Sequence, residues 1–257
     1  SWDGRAMNTI SLAELRETTA LLTRVDRKYL LPVTALGDFA GRIAASTRVL
    51  QIAGQSRFGY QSCYYDSPEL LCYQQAGRGR RRRFKIRTRE YLHQQDSWLE
   101  VKARGARGTT VKDRLIRAAP GPLTLAEHGW LIRALQARNI PTAPVLRLIP
   151  VLHTSYTRRT LQVPPTPDEP ASRLTIDTGL RLELPPHAPG GQLTLDLPQL
   201  VIVETKGAPR ASRIDRLLWS MGYRPRSFSK YGVGIASLRL DQSPLKWHSL
   251  VEHQLAA

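Results

Sequence analysis

The sequence predicts an α+β fold in which an antiparallel sheet closes into a barrel around an interior tunnel, with helices packed outside. Nine short stretches place Lys or Arg at alternate positions, and several hold a carboxylate two residues from a cation, as in Glu100-Val101-Lys102. Side chains of a strand alternate between its two faces, so such a stretch has one charged face and one apolar face. Many such strands bury their charged rows only by enclosing a positive interior, which requires a polyanion inside it.

The order of the elements supports this class, because strands dominate and a few helices interrupt them. Capping boxes or apolar stripes of helical period predict four helices, at residues 11–22, 34–46, 123–139 and 213–221. Alternating patterns predict the strands at residues 25–32, 59–66, 83–91, 97–104, 109–116, 145–163, 172–184 and 199–206. A turn or short helix is expected from Asp66, and residues 227–235 are interpreted as a basic segment.

The chain is interpreted as one domain, because 257 residues allow one large β-rich domain and no internal repeat or long linker divides them. This domain is predicted to span residues 8–240. Residues 1–7 are interpreted as a non-native or disordered start, and residues 241–257 as a C-terminal tail.

The composition indicates an anionic partner, since the net charge is +17 and the pI is about 10.6. Nucleic acid, a phosphorylated small molecule and a lipid head group all fit that charge. Aromatic residues make up 7%, which leaves few platforms for base stacking and makes nucleic acid an unlikely partner. The sequence has no run of 18 apolar residues, so no transmembrane segment is predicted. Its two cysteines do not have the spacing of metal ligands, which suggests reduced thiols in the cytoplasm.

Several common sites have no signal in the sequence. There is no GxxxxGK[ST] phosphate loop and no Rossmann fingerprint, so nucleotide binding at a helix N-terminus is unsupported. The six His residues do not cluster at metal-ligand spacing.

The densest charged row lies in the strand at residues 83–91, where four cations alternate with Phe84, Ile86 and Thr88. A solvated face of a half-exposed sheet would explain this row alone. Arg nevertheless suits phosphate, because its planar guanidinium can hold two oxygens at once. The flanking run at residues 80–82 is interpreted as a loop tip, not as a site. The four cations of the row are Arg83, Lys85, Arg87 and Arg89.

The other charged rows contain about three cations to each carboxylate, and the few carboxylates suit a divalent metal. Mg²⁺ or Mn²⁺ in phosphoryl-transfer sites takes hard oxygen ligands from one or two side chains and completes its shell with water and phosphate. Glu204 and Glu100 are the predicted metal ligands. Asp177 and Asp26 come second, because either could pair with a neighbouring Arg. The cations of these rows include Lys102, Arg104, Lys112, Arg114, Arg158, Arg173 and Lys206.

Taken in order, these segments resemble the vacuolar transporter chaperone (VTC) domain, the polyphosphate polymerase module of the triphosphate tunnel metalloenzyme superfamily. The resemblance runs from about residue 24 to 236 and includes Tyr64-Tyr65-Asp66-Ser67-Pro68 and Val203-Glu204-Thr205-Lys206. The other matching segments are residues 26–30, 85–91, 99–102, 112–114, 156–158, 173–177 and 227–231.

The resemblance implies a triphosphate tunnel fold whose basic residues bind the phosphates of ATP and of the polymer. By motif match, Glu204 corresponds to the glutamate that holds the metal, usually Mn²⁺. The phosphate-binding residues implied by the match are Lys28, Arg87, Arg89, Lys102, Lys112, Arg158, Arg173, Lys206 and Lys230.

The function that this resemblance implies is metal-dependent transfer of the γ-phosphoryl group of ATP to a growing inorganic polyphosphate, with release of ADP. The predicted catalytic residues are Arg87, Arg89, Lys102, Arg158 and Lys230. The predicted substrate-binding residues are Lys28, Lys85, Lys112, Arg114, Arg173, Lys206 and Ser229.

Two alternatives stay open. One is a tunnel triphosphatase, although the first strand has Arg24 where hydrolases of the superfamily have a second acidic residue. The other is a polyphosphate-binding module without catalysis.

Overall fold

The computed structural model describes residues 7–18, 25–105 and 110–254, and internal contacts divide the chain into two units. The first unit takes its residues from Ser1–Gly59, Tyr156–Leu180 and Leu197–Ser227. The second unit takes its residues from Tyr60–Ser155, Arg181–Asp196 and Phe228–Ala257. The prediction of one domain ending at residue 240 stays a prediction.

The described residues form a mixed structure of antiparallel strands and helices, which confirms the predicted α+β class. The strands are β1 (Asn8–Ile10), β2 (Val25–Pro32), β3 (Arg48–Leu50), β4 (Phe58–Asp66), β5 (Phe84–Tyr91), β6 (Asp96–Arg104), β7 (Thr110–Arg117), β8 (Ile149–Val163), β9 (Ser172–Glu183), β10 (Thr194–Leu197) and β11 (Leu200–Gly207). The helices are α1 (Leu12–Thr18), α2 (Leu36–Ile43), α3 (Leu71–Gly77), α4 (Leu125–Gln136), α5 (Arg213–Ser220), α6 (Lys230–Leu238) and α7 (His248–Gln254).

In the first unit, strands pair in the order β2-β11-β9-β8, with β11 antiparallel to both neighbours. One face of this sheet is apolar: Tyr29 and Val203 are fully buried there. Helices α2 and α5 cover it with Phe39 and Leu218, which are also fully buried. Because the apolar residues occupy alternate positions, the opposite face is left for the charged rows.

Helix α5 is fixed by a buried carboxylate. Asp215 Oδ1 accepts hydrogen bonds from Tyr29 (2.8 Å) and from the Thr205 hydroxyl (2.7 Å). Its other oxygen accepts from the backbone N–H of Ser212, whose side chain caps the helix in return. Burial alone would raise the pKa of Asp215, but the hydrogen bonds from Thr205, Ser212 and Tyr29 outweigh it and lower the pKa. The helix predicted at residues 213–221 is thereby confirmed, and a capping box between Ser212 and Asp215 begins it.

In the second unit, strands pair antiparallel in the order β4-β5-β6-β7. Ile86, Leu99 and Val101 are at most 1% exposed on one face, as the alternation predicts. Helix α4 begins with a capping box between Thr124 and Glu127. Strands β8 and β9 contribute residues to both units.

In each unit the hydrogen-bonded path of described strands is open: it runs from β2 to β8 in the first unit and from β4 to β7 in the second. The predicted barrel therefore describes these sheets only loosely. No helix in the described ranges has the length and apolar content needed to cross a membrane.

Most predicted elements are confirmed, with shifts at their ends. The strand predicted from residue 145 is wrong at its start, because Ala143–Arg147 forms a 3₁₀ helix with Pro144 in its first turn and β8 begins at Ile149. Residues 19–22 of the first predicted helix and residue 109 of a predicted strand lie outside the described residues.

Helix α6 occupies most of the segment interpreted as merely basic. The sequence did not predict this helix because it contains two glycines, and glycine has a low helix propensity. A Cβ on Gly232 would lie 2.1 Å from the Trp247 ring, and one on Gly234 would lie 2.5 Å from Leu152. The glycines thus permit close packing, and Trp247, which lies in the predicted tail, is 1% exposed.

Candidate functional site

A face rich in cations lies on three adjacent strands of the second unit, and we call it the lysine–arginine face. Side chains directly opposite each other in antiparallel strands point to the same side, so the register groups them into rows. The three rows together contain six cations and one carboxylate, Glu100; Asp96 lies one row further, at the β5–β6 hairpin. The rows are Lys85-Lys102-Lys112, Arg87-Glu100-Arg114 and Arg89-Trp98-Ile116.

Glu100 is the centre of this face and is only 2% exposed. Its Oε2 accepts hydrogen bonds from Arg87, with the guanidinium nitrogens at 2.6 and 2.7 Å, and its other oxygen contacts the Lys112 ammonium. Burial would raise the pKa of Glu100, but the charges of Arg87, Arg89 and Lys112 outweigh it and bring the pKa to about 2. The carboxylate is therefore ionised at every physiological pH.

The Lys112 ammonium is under the opposite influence. Burial lowers the pKa of Lys112, Glu100 raises it, and repulsion from Arg87 and Arg89 lowers it again, to about 8. Burial contributes most to this fall, and the like charges of Arg87 and Arg89 add to it. An anion bound beside Lys112 would relieve that repulsion.

Aromatic and hydroxyl groups hold the arginines in place. Arg87 donates to the Tyr64 hydroxyl at 3.2 Å, and Arg89 donates to the Ser62 hydroxyl at 3.3 Å. The Arg114 guanidinium carbon lies 4.5 Å from the centre of the Trp98 ring, within the range of cation–π contact. These contacts fix the direction of each guanidinium.

Helix α6 contributes the last predicted residues of this group. The Lys85 ammonium donates to the Ser229 hydroxyl at 2.8 Å, and the same hydroxyl caps α6 by accepting from the Gly232 backbone N–H. Lys230 is the first residue of that helix. A helix N-terminus carries partial positive charge, so α6 adds to the field of Lys85.

A second charged face lies in the first unit, on β2, β11, β9 and β8, and we call it the paired face. Its rows are Asp26-Lys206-Arg173, Lys28-Glu204-Thr175 and Leu30-Ile202-Asp177, and Arg158 joins it through Asp177. It contains four cations, Lys28, Lys206, Arg173 and Arg158, and three carboxylates, Asp26, Glu204 and Asp177.

Glu204 lies between two lysines on the paired face. Its Oε1 is 2.8 Å from the Lys206 ammonium and 3.3 Å from that of Lys28. Burial would raise the pKa of Glu204, but Lys28, Lys206 and Arg158 hold it well below its usual value. Like Glu100, it is an ionised carboxylate with little exposure.

Asp177 is bound by Arg158 through both oxygens, at 2.6 and 2.8 Å. This fork geometry is the strongest that an Arg–carboxylate pair adopts. Asp177 is therefore engaged in the pairing that the sequence left open for it. Asp26 is likewise paired, with Lys206 at 3.4 Å.

The two glutamates fit a divalent metal only in part. Each supplies one ionised oxygen donor, which Mg²⁺ and Mn²⁺ favour. In the described ranges, however, no three His, Cys, Asp or Glu side chains are grouped to hold a metal ion. A metal bound to Glu204 or Glu100 would take most of its ligands from phosphate and water.

Sequence reasoning placed the charged residues on the correct strand faces but missed the groups that support the arginines. Ser62 and Tyr64 share one face of β4, are both buried, and are set by the register directly opposite Arg89 and Arg87. That parity was visible in the sequence, but the neighbour of β5 was not. The catalytic, substrate and metal roles of the predicted residues stay predictions.

The solved structures that this chain is similar to include three chains of low identity. A candidate adenylate cyclase from Vibrio parahaemolyticus is 12% identical with a TM-score of 0.42, over 80% of this chain and 94% of that one. The PH1819 protein of Pyrococcus horikoshii is 11% identical with a TM-score of 0.40, over 79% and 92%. A candidate adenylyl cyclase from Hippeastrum, described as having a dominant triphosphatase activity, is 12% identical with a TM-score of 0.44, over 87% and 99%.

Comparison with curated proteins gives no match. Comparison with protein families gives one that covers most of the sequence. The VTC domain matches residues 23–120 and 136–239, which contain both charged faces. The chain therefore belongs to the VTC domain family.

Proposed function

We propose that this protein is a metal-dependent phosphotransferase that extends inorganic polyphosphate with the γ-phosphoryl group of ATP and releases ADP. The observation that supports this most strongly is the charge of the lysine–arginine face, where six cations share one carboxylate on three adjacent strands. Membership of the VTC domain family supports the same assignment.

The geometry of this face suits a linear chain of phosphates. Neighbouring strands lie about 4.8 Å apart, and successive rows along a strand are about 6.8 Å apart. The face is thus a grid of cations, which matches the repeated charges of a triphosphate or a longer polymer. The ionised Glu100 holds Arg87 and Lys112 in place within this grid through ion pairs.

The side chains of the protein would take little part in the covalent steps of this reaction. An oxygen of the terminal phosphate of the polyphosphate chain attacks the γ-phosphorus of ATP and forms a new P–O bond. The bond between the γ-phosphorus and the β,γ-bridging oxygen breaks, and ADP leaves with that electron pair. Arg87, Arg89 and Lys102 would hold the phosphates in line and neutralise charge on the transferring oxygens. Removing one preorganised donor of this kind typically lowers kcat by about 10²–10³.

A divalent metal would be held by Glu204, with Glu100 as the second candidate. When bound, Mn²⁺ or Mg²⁺ neutralises charge on the phosphate oxygens. Lys28 and Lys206 flank Glu204 and keep it ionised in the absence of metal. Arg158, bound to Asp177, adds positive charge to the same face.

The proposal is tested by incubating the protein with ATP and Mn²⁺ and separating the products on a gel. A ladder of long polymer together with ADP is the expected result. Release of orthophosphate without polymer would instead identify a triphosphatase, and binding of polyphosphate without turnover would identify a binding module.

The metal assignment is tested with Glu204→Gln. This variant should fold, as judged by circular dichroism, but lose metal-dependent polymer synthesis. Asp38→Asn is the matched control, because Asp38 pairs with Arg42 on the exposed surface of α2 in the same unit. Polymer synthesis retained in Glu204→Gln would remove Glu204 as the metal ligand.

A further inference from the structure

A run of arginines lies directly before β5 in the second unit, at residues 78–83, and we call it the arginine loop. The sequence from residue 70 to residue 89 contains no Asp or Glu. In the part of the chain that the structure describes, no carboxylate pairs with any arginine of the loop. The loop therefore has a concentrated positive charge that no acidic group within it compensates.

The loop has a defined conformation. Gly79 adopts a φ of +67°, which glycine accepts without strain, and the backbone N–H of Arg80 donates to the Gln75 carbonyl at 2.9 Å. The Arg83 side chain turns back and donates to the carbonyls of Gly79 (3.2 Å) and Arg80 (2.7 Å). Arg83 thus holds the loop, while the side chains at residues 80–82 stay exposed.

The loop continues the lysine–arginine face without a break. The backbone N–H of Arg104 donates to the Arg83 carbonyl at 3.2 Å, so Arg83 and Arg104 form the row after Lys85-Lys102-Lys112. The cations from Arg89 on β5 to Arg83, directly before β5, extend over about 20 Å. A linear polyanion lying along β5 would reach the arginine loop as its next cationic contact.

The exposed fraction of the cationic side chains rises from Arg89 to the arginine loop. Arg89 is 7% exposed, Arg87 and Lys85 are half-buried, and residues 80–82 are fully on the surface. Like charges also crowd the outer end: burial and Arg104 lower the pKa of Arg83, and burial and Arg83 lower the pKa of Lys246. The inner end suits a reacting phosphate, and the outer end suits a chain passing into solvent.

We propose that the arginine loop is a secondary binding site for linear polyphosphate, where the polymer leaves the lysine–arginine face. This rests on the proposed function, because it takes the same polymer as ligand. No residue from 78 to 83 is aromatic or aliphatic, so the loop offers neither a stacking platform for bases nor an apolar side chain for a lipid surface. The ligand that fits is a flexible chain of charges.

The test uses the variant Arg80→Gln/Arg81→Gln/Arg82→Gln, which leaves Arg83 to hold the loop. The matched control is Arg16→Gln/Arg210→Gln/Arg224→Gln, which removes the same charge from three exposed arginines of the first unit. Binding of tripolyphosphate and of long polyphosphate is measured by calorimetry over a series of salt concentrations, without ATP or metal.

The loop variant should bind long polyphosphate at least tenfold more weakly and tripolyphosphate within about twofold of the unchanged protein. For the long polymer, the slope of log binding constant against log salt concentration should decrease in magnitude by about two, as for three lost contacts on a single-stranded polyanion. Equal losses for both ligands, no loss for either, or the same loss in the control variant would overturn the proposal. So would a loss as large for single-stranded DNA or phosphatidylserine vesicles as for polyphosphate.

This experiment separates the two proposals. If the protein binds long polyphosphate through the loop but makes none from ATP, the catalytic proposal fails and the binding site stands. If the protein makes polymer while the loop variant binds and elongates it unchanged, the binding site fails and the catalytic proposal stands.

Discussion

The two charged faces of this chain follow the same strand alternation but differ in charge balance. On the paired face, three carboxylates accompany four cations, and each carboxylate contacts at least one of them. On the lysine–arginine face, one carboxylate accompanies six cations. A charged row on an alternating strand can thus either stabilise the fold through ion pairs or bind an anion. The ratio of acidic to basic residues in the row distinguishes the two.

The difference has a physical consequence for each unit. The paired face has most of its charge neutralised by side chains of its own, so its pairs stabilise the fold of the first unit. The lysine–arginine face keeps a surplus of positive charge, which raises the energy of the free protein and is relieved when an anion binds. We therefore expect loss of the Arg158–Asp177 pair to change mainly stability, and loss of a charge on the lysine–arginine face to change the response of the protein to a bound anion.

The largest expected effect is on the paired face. Asp177→Asn leaves the half-buried Arg158 without its bidentate partner, and breaking a largely buried pair of this kind costs up to about 3–5 kcal/mol. The measurement is the free energy of unfolding in urea, with Asp196→Asn as the control, since that residue pairs with Arg181 on the surface. The control should lose less than about 1 kcal/mol. A similar small loss in Asp177→Asn would contradict the contrast between the faces.

A second variant, Glu100→Gln, sharpens the comparison by removing the single carboxylate from the three rows of the lysine–arginine face. Arg87, Arg89 and Lys112 then repel one another without compensation, so the variant should unfold at a lower Tm. Tripolyphosphate at about 100 times its Kd should stabilise the unchanged protein by about 2.7 kcal/mol, and it should stabilise Glu100→Gln by more.

The matched comparison is Asp177→Asn with the same ligand. Tripolyphosphate should raise its Tm only as much as it raises that of the unchanged protein, because the lost pair is on the other face. If the ligand rescued both variants equally, the surplus charge would not be specific to the lysine–arginine face.

The smallest expected effect is a pH dependence of binding. The pKa of Lys112 is lowered to about 8, so its charge is complete below that value and is lost as the pH rises through it. Affinity for tripolyphosphate should therefore fall about twofold to fivefold between pH 7 and pH 9, as for one partly exposed ion pair. Lys112→Arg keeps its charge over this range and corrects for titration of the ligand. The same pH profile in both proteins would exclude Lys112 as the titrating group.

Much of this contrast was predictable from the sequence, because strand alternation fixes which side chains share a face. Alternation over residues 97–104 places Trp98, Glu100 and Lys102 on one face and Leu99 and Val101 on the other, and the structure confirms both. The distribution of carboxylates between the faces was not predictable. It depends on strand order, which sets Asp177 beside Arg158 but leaves Glu100 among cations from β5 and β7.

Helix α6 shows a different limit of sequence reasoning. Its glycines allow Trp247 and Leu152 to approach the helix backbone, and that requirement is tertiary. Propensity alone therefore indicated no helix. The position of Ser229, which caps α6 and accepts from Lys85, was consequently known only as part of a motif.

The most direct test of the account is a crystal structure of the protein with bound tripolyphosphate. The account predicts phosphate oxygens within hydrogen-bonding distance of Arg87, Lys112 and at least one of Lys85 and Lys102. Tripolyphosphate ordered only on other residues, with no phosphate contacting the lysine–arginine face, would contradict it.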